Sequence, residues 1–248
     1  MLHGVFVGVG ARRDGRAPSM PSADADAEAM YACIAAAAAD QRQLTFLLGE
    51  RATKATIERV LAKELPARVT EDDTVLLYLA GSTCLGAPST HAEPSTKFLT
   101  YDSTIDGSRA ASLDITTELS AWMRALGAQL VTLVVDVTSA GKVTGGSGGA
   151  PSTPPPPSSL ARQRARWSTM AMGTRCVVLS SNGDTTSASN GASRPRGFFT
   201  EGLIRAIDGA PGGTLITPAL LHAALTSAQS PVLLGASFTT RTPLFRTR

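Results

Sequence analysis

At 248 residues the chain is long enough for one large domain or two small ones. Its 43% hydrophobic and 17% charged residues, with mean hydropathy +0.06, supply a packed core and exclude a wholly disordered protein. The net charge of +3 conceals an asymmetry: residues 1–150 hold 13 basic and 17 acidic side chains, whereas residues 151–248 hold 10 and 3, every one of the ten an arginine.

The first apolar run, residues 5–9 (VFVGV), is short and rich in β-branched residues, and suits a strand. Residues 22–39 read as a helix with Ser22 or Asp24 as N-cap and acids in the first turn, where the helix dipole favours them. Residues 43–48 suit a second strand. Thr53 then caps a helix running to Leu65, in which Ile57, Val60, Leu61 and Leu65 follow helical spacing. Residues 74–80 (TVLLYLA) and 130–136 (LVTLVVD) are nearly all apolar, as strands buried on both faces are, and a helix over 113–126 separates them. After them comes 143–159, VTGGSGGAPSTPPPPSS, whose four consecutive prolines cannot donate to any helix or sheet ladder. It runs into ARQRARW, where Arg162, Arg164 and Arg166 are open to a trypsin-like protease. Beyond it, residues 175–181 read as a strand, 198–207 and 218–227 as helices, and 232–234 as a short last strand. Such alternation predicts an α/β fold: a mostly parallel sheet with helices on both faces. The expected organisation is a single domain made of a larger part (1–142), a Gly/Pro/Ser linker with a basic end (143–166) and a smaller part (167–248).

No run approaches the roughly 18 apolar residues of a spanning helix. At the N-terminus the charges follow the apolar run instead of preceding it, the reverse of a secretory signal. Cys33, Cys84 and Cys176 are odd in number and widely spaced, with no CxxC, so neither a disulfide framework nor a zinc site is expected and the chain reads as cytoplasmic. Clustered arginine can neutralise phosphates, but no nucleic-acid motif accompanies it, and complementary faces of one domain or a solvated surface explain the charge as well. Gly8-Val9-Gly10 starts like a dinucleotide fingerprint, yet Ala11-Arg12-Arg13-Asp14 lacks the helix-opening glycine. No cofactor or metal is expected; a loop carrying Arg12 and Arg13 to the rim of the crevice is the better reading.

In an open parallel sheet the functional crevice lies beyond the carboxyl ends of the central strands. Two such ends stand out: Leu79-Ala80-Gly81-Ser82-Thr83 and Val135-Asp136-Val137-Thr138-Ser139-Ala140-Gly141, each expected to run straight into a small-residue turn. Here the sequence resembles the caspase-like peptidases, in particular bacterial caspase homologues and metacaspases. DDTVLLYLAG at 72–81 is similar to the family strand that ends in glycine-histidine-glycine and carries the catalytic base. LVVDVTSAG at 133–141 is similar to the strand ending in aspartate-alanine-cysteine-histidine-serine-glycine, which carries the nucleophile. Residues 82 and 138 are 56 apart, close to the roughly 50 between histidine and cysteine in that family. MPSADADAEAM at 20–30, SSNGDTTSAS at 180–189 and GFFTEGLIRAI at 197–207 add to the likeness, and the linker falls where caspases join their large and small subunits. The resemblance implies a caspase-like six-stranded, mostly parallel sheet, and bacterial relatives often sit in defence or cell-death signalling.

The departures decide the expected function. Ser82 stands at the base position, Thr138 at the nucleophile position, and Ser139 replaces the histidine that usually follows. A cysteine protease needs a thiolate and an imidazole to take its proton. Threonine is a far weaker nucleophile near neutral pH, serine is no base, and losing one member of such a pair already costs orders of magnitude in rate. The reading is a pseudoprotease that acts by binding, as regulator, inhibitor or decoy substrate of an active caspase-like protease, with cleavage in its own linker as one mode of control. The alternative is an active or rewired Ser/Thr endopeptidase cutting after Arg or Lys, in which His91 would serve Thr138 or Ser139, with Cys84 a nearby thiol. His3 and His222 read as structural. The resemblance also implies a substrate pocket around Asp136, Ser181 and Asp184, where two carboxylates would attract a basic side chain; a strand-end acceptor (Asp136) and a turn former (Asp184) are the competing readings.

Overall fold

The computed structural model describes residues 1–15, 20–39, 41–85, 95–104, 112–139, 175–181, 197–225 and 231–248. The strands are β1 (Leu2–Gly8), β2 (Arg42–Leu48), β3 (Thr74–Leu85), β4 (Thr96–Leu99), β5 (Ser112–Asp114), β6 (Leu130–Ser139), β7 (Cys176–Ser180), β8 (Leu215–Ile216), β9 (Val232–Leu234) and β10 (Phe245–Arg246). The helices are α1 (Ser22–Ala37), α2 (Lys54–Glu58, widening into a π-helical stretch over Arg59–Glu64), α3 (a π-helical Ile115–Leu119 followed by Ser120–Ala125), α4 (Phe198–Asp208), α5 (Pro218–Ala224) and the short α6 (Ser237–Thr240).

The main sheet has eight strands, six of them in the order β2-β1-β3-β6-β7-β9, the first five parallel and β9 antiparallel at the edge, with β4 and β5 attached through the end of β3. This is the mostly parallel α/β sheet that the alternating pattern predicts. The parts on either side of the 143–166 linker contribute the neighbouring strands β6 and β7. The linker itself, with Arg162, Arg164 and Arg166, lies outside the described residues, as do His91 and Asp184.

Strand alternation divides the core in two. Val75, Leu77 and Leu79 of β3, with Val131, Leu133 and Val135 of β6, face α2 and α3. Leu76, Tyr78 and Ala80, with Leu130 and Val134, face α1 and α4. Both faces are dry, so these strands read as continuous apolar runs. The path from β1 through α1 leads to β2, while β3 leads on through α3 to β6 on the opposite side. The chain therefore diverges between β1 and β3, and the topological switch point of the sheet lies there.

Several local expectations change. The glycine-containing turn expected at 81–83 is strand instead: β3 continues to Leu85 because its extension pairs with β4, and β4 pairs in turn with β5. Short strands with no long apolar run gave β4 and β5 no signal. The helix expected from residue 113 starts at Ile115, after β5, where the Asp114 carboxylate accepts from the backbone N–H groups of Thr116 and Thr117, both at 3.0 Å. Thr53 caps α2 as predicted, accepting from the Thr56 N–H at 3.2 Å. Neither Ser22 nor Asp24 caps α1. The N-cap position is Pro21, and the Asp24 carboxylate accepts instead from the Gly10 N–H at 3.0 Å, tying the helix to the loop that follows β1.

Candidate functional site

β3 and β6 run in unbroken parallel register from Thr74 opposite Leu130 to Thr83 opposite Ser139. Residue 82 therefore stands beside residue 138 at the carboxyl ends of the two central strands, and Ala80 beside Asp136. Ser82 is buried and alternates onto the same face as Tyr78 and Ala80. Thr138 and Ser139 are described by their backbones, so what the structure brings together is the two strand positions.

The described histidines serve elsewhere. His3, at the amino end of β1, is buried with Nε2 3.4 Å from the Asp73 carboxylate. His222 on α5 has Nε2 3.3 Å from the Pro231 carbonyl. Cys84 lies two residues beyond Ser82 and directly across from Lys97 on β4. Burial pushes its thiol up against the opposing pull of Lys97 and Arg12, so it stays protonated near neutral pH and is no thiolate nucleophile.

Of the predicted pocket, the structure brings Asp136 and Ser181 together and adds three residues that the motifs did not single out: Tyr78, Asp26 and Thr200. The Thr200 hydroxyl on α4 donates to Asp136 Oδ2 at 2.7 Å. With that proton committed, the Tyr78 hydroxyl of β3 is the donor to Thr200 Oγ1 at 2.5 Å. The Ser181 hydroxyl, buried just past β7, adds a weaker attraction to Asp136 without full hydrogen-bond geometry. From α1, the Asp26 carboxylate accepts from the Gly197 N–H at 2.8 Å. Both carboxylates press on the same spot: a Cβ on Gly197 would lie 3.1 Å from Asp26 Oδ2 and 3.2 Å from Asp136 Oδ2.

Burial raises Asp136 above the usual carboxylate range, although Thr200 and Ser181 pull it back in part. Burial together with the charges of Asp136 and Asp26 holds the Tyr78 phenol well above its ordinary value, against the Thr200 bond. Asp26 and Asp136 are 0% and 2% exposed, so among the described residues the cluster is a buried acid network.

Asp26 was within reach of the sequence. The buried face of α1 is Ala23, Asp26, Ala27, Met30, Cys33 and Ile34, an i, i+3, i+4, i+7 pattern in which an aspartate occupies an apolar position. Thr200 likewise shares the buried face of α4 with Phe199, Leu203 and Ile207. A polar residue inside an apolar stripe was the signal.

No protein-family model matches the chain, and no curated protein is similar to it in sequence. Among solved structures it is similar over its whole length to the crystal structure of the protein GSU0716 from Geobacter sulfurreducens, a structural genomics target. The identity is 18%, with 100% of this chain and 99% of that chain covered, at a TM-score of 0.65. At that identity the likeness is one of fold.

Proposed function

We propose that this chain is a caspase-like pseudoprotease that acts by binding an active caspase-like protease, as regulator, inhibitor or decoy substrate. The observation that carries the reading is the register of residues 82 and 138. The two positions that resemble the family's base and nucleophile stand side by side at the carboxyl ends of the central strands, and they hold serine and threonine. Neither residue supplies an imidazole or a thiolate, and the thiol nearest in sequence, Cys84, is buried and protonated. We place the protein in the cytoplasm on its cysteine usage; no helix among the described residues is long and apolar enough to cross a membrane.

The test pairs two assays on the purified chain. Fluorogenic peptides ending in Arg or Lys are expected to show no turnover. An active arginine-specific caspase-like protease is expected to be captured or inhibited by the chain, or to cut it between Arg162 and Arg166. Turnover that Thr138→Ala or Ser139→Ala abolishes would establish a working hydrolase and overturn the reading. A protease that neither binds the chain nor cuts its linker, while cutting unfolded substrates, would remove the decoy and inhibitor forms alike.

A further inference from the structure

The amino ends of the central strands form a face of their own, roughly 25 Å along β3 from the end that holds residues 82 and 138. On that face lies a cavity of about 410 Å³, within the range of small-molecule sites. Four chain segments line it: Glu71 and Asp72 in the turn before β3, Gln129 just before β6, Arg175 just before β7, and Thr239 and Thr242 at and after α6. None of these side chains is apolar.

The walls are fixed by the backbone. The Asp73 carbonyl accepts from the Gln129 N–H at 2.8 Å, the Arg175 carbonyl from the Val131 N–H at 2.9 Å, and the Thr239 carbonyl from the Thr242 N–H at 3.2 Å. The Asp73 carboxylate accepts from the Thr70 N–H and hydroxyl, both at 2.8 Å, and so holds the turn that presents Glu71 and Asp72. Charges of both signs therefore line one cavity, and Glu71, Asp72 and Arg175 form no ion pair among the described residues. All three are exposed, and exposed charges need no partner, so they mark no site by themselves. Thr239 supplies the second observation. It is 2% exposed, and its Oγ1 is buried with no hydrogen-bond partner among the described residues. A buried hydroxyl ordinarily finds an acceptor, in a helix often the carbonyl one turn back. Valine would fill the same space without stranding a polar atom, yet the residue at the cavity wall is threonine.

We propose that this cavity binds a free basic α-amino acid. Two carboxylates and one guanidinium leave the lining one negative charge in excess, which a ligand with one carboxylate and two cationic groups balances. Arg175 takes the ligand carboxylate in its planar fork, with the Thr239 hydroxyl as a further donor, and Glu71 and Asp72 take the two cationic groups. The site is independent of the pseudoprotease reading, because it lies at the opposite end of the sheet and rests on none of the residues that carry that reading.

The experiment follows the thermal midpoint and calorimetric titration of the full chain. The probes are L-arginine, L-lysine, agmatine (which lacks the carboxylate) and Nα-acetyl-L-arginine (which lacks the α-ammonium). L-arginine or L-lysine is expected to raise the midpoint by roughly 5–11 °C when its free concentration is about 100 times Kd. Agmatine and the acetyl derivative are each expected to bind about tenfold more weakly or worse, having lost one charge-assisted contact. Arg175→Gln is expected to erase the preference for L-arginine over agmatine, and Glu71→Gln combined with Asp72→Asn to abolish binding; these residues are exposed, so the variants fold. Thr239→Val is expected to weaken binding about fivefold while its unliganded midpoint equals or exceeds that of the wild type. A purely structural threonine would give the reverse, a lowered midpoint with affinity unchanged, and that result would remove Thr239 from the site. If neither amino acid moves the wild type, or if agmatine binds as tightly as L-arginine, the proposal fails.

Discussion

Thr200→Val is the sharpest probe of the buried network, because valine matches threonine in shape and removes only the hydroxyl. That hydroxyl is the middle of a chain of donors: Tyr78 donates to it, and it donates to Asp136 at 2.7 Å. All three residues are essentially excluded from solvent, at 0%, 0% and 2% exposure for Tyr78, Thr200 and Asp136, so water cannot replace the lost partner. The substitution leaves a phenol and a carboxylate oxygen each short of a bond. A buried group so stranded costs about 1–3 kcal/mol, so the pair should cost about 2–6 kcal/mol. At roughly 2–4 °C per kcal/mol for a chain of this size, the midpoint should fall by roughly 4–24 °C. Tyr78→Phe removes one neutral bond and leaves the Thr200–Asp136 contact intact, so its cost should be about 1 kcal/mol. Differential scanning calorimetry of the two variants and the wild type at pH 7 reads both numbers. A Thr200→Val midpoint within about 2 °C of the wild type, or one above that of Tyr78→Phe, would refute the argument that Thr200 joins the phenol to the carboxylate.

Three further outcomes follow from the same geometry. Burial holds Asp136 above the usual carboxylate range, so the folded chain binds that proton more tightly than the unfolded one. Lowering the pH from 7 should therefore stabilise the wild type relative to Asp136→Asn, levelling off at the ordinary carboxylate range; paired thermal scans between pH 7 and 4 check the sign. Gly197→Ala keeps an allowed backbone but drives a methyl against Asp26 and Asp136, both pinned by their bonds. It should cost about 1–3 kcal/mol in urea unfolding, like other overpacking changes, and an unchanged midpoint would mean that the two carboxylates give way freely. All three thiols are buried. Cys33, whose Sγ–H donates to Asp208 at 3.4 Å, is pushed up to about 12 by burial and by the Asp208 charge, and burial raises Cys84. A chromogenic disulfide reagent at pH 8 should therefore find no fast-reacting thiol in the native chain and three after denaturation; a fast native thiol would contradict the burial of at least one of them.

The order of strands and helices was legible because it rests on local periodicity: TVLLYLA and LVTLVVD announce strands buried on both faces, and Ile57, Val60, Leu61 and Leu65 announce a helix. The 56-residue separation of positions 82 and 138 was legible too, but only the parallel register of β3 and β6 turns separation along the chain into adjacency. Pairing also decided where β3 ends. Gly81-Ser82-Thr83 has turn composition, yet it stays extended because all three residues pair with β6 and, from Thr83 onward, the strand pairs with β4 on its other side. The acid network joins residues from α1, β3, β6 and α4, which are up to 174 positions apart, and no local pattern shows that Asp26 and Asp136 share a glycine. Arg12 is the clearest case. Composition makes it one cation among 23, and its burial without a hydrogen-bond partner among the described residues exists only in the fold. Periodicity is a property of neighbours along the chain; desolvation and hydrogen-bond partnership are properties of neighbours in space, and the tertiary structure alone sets those.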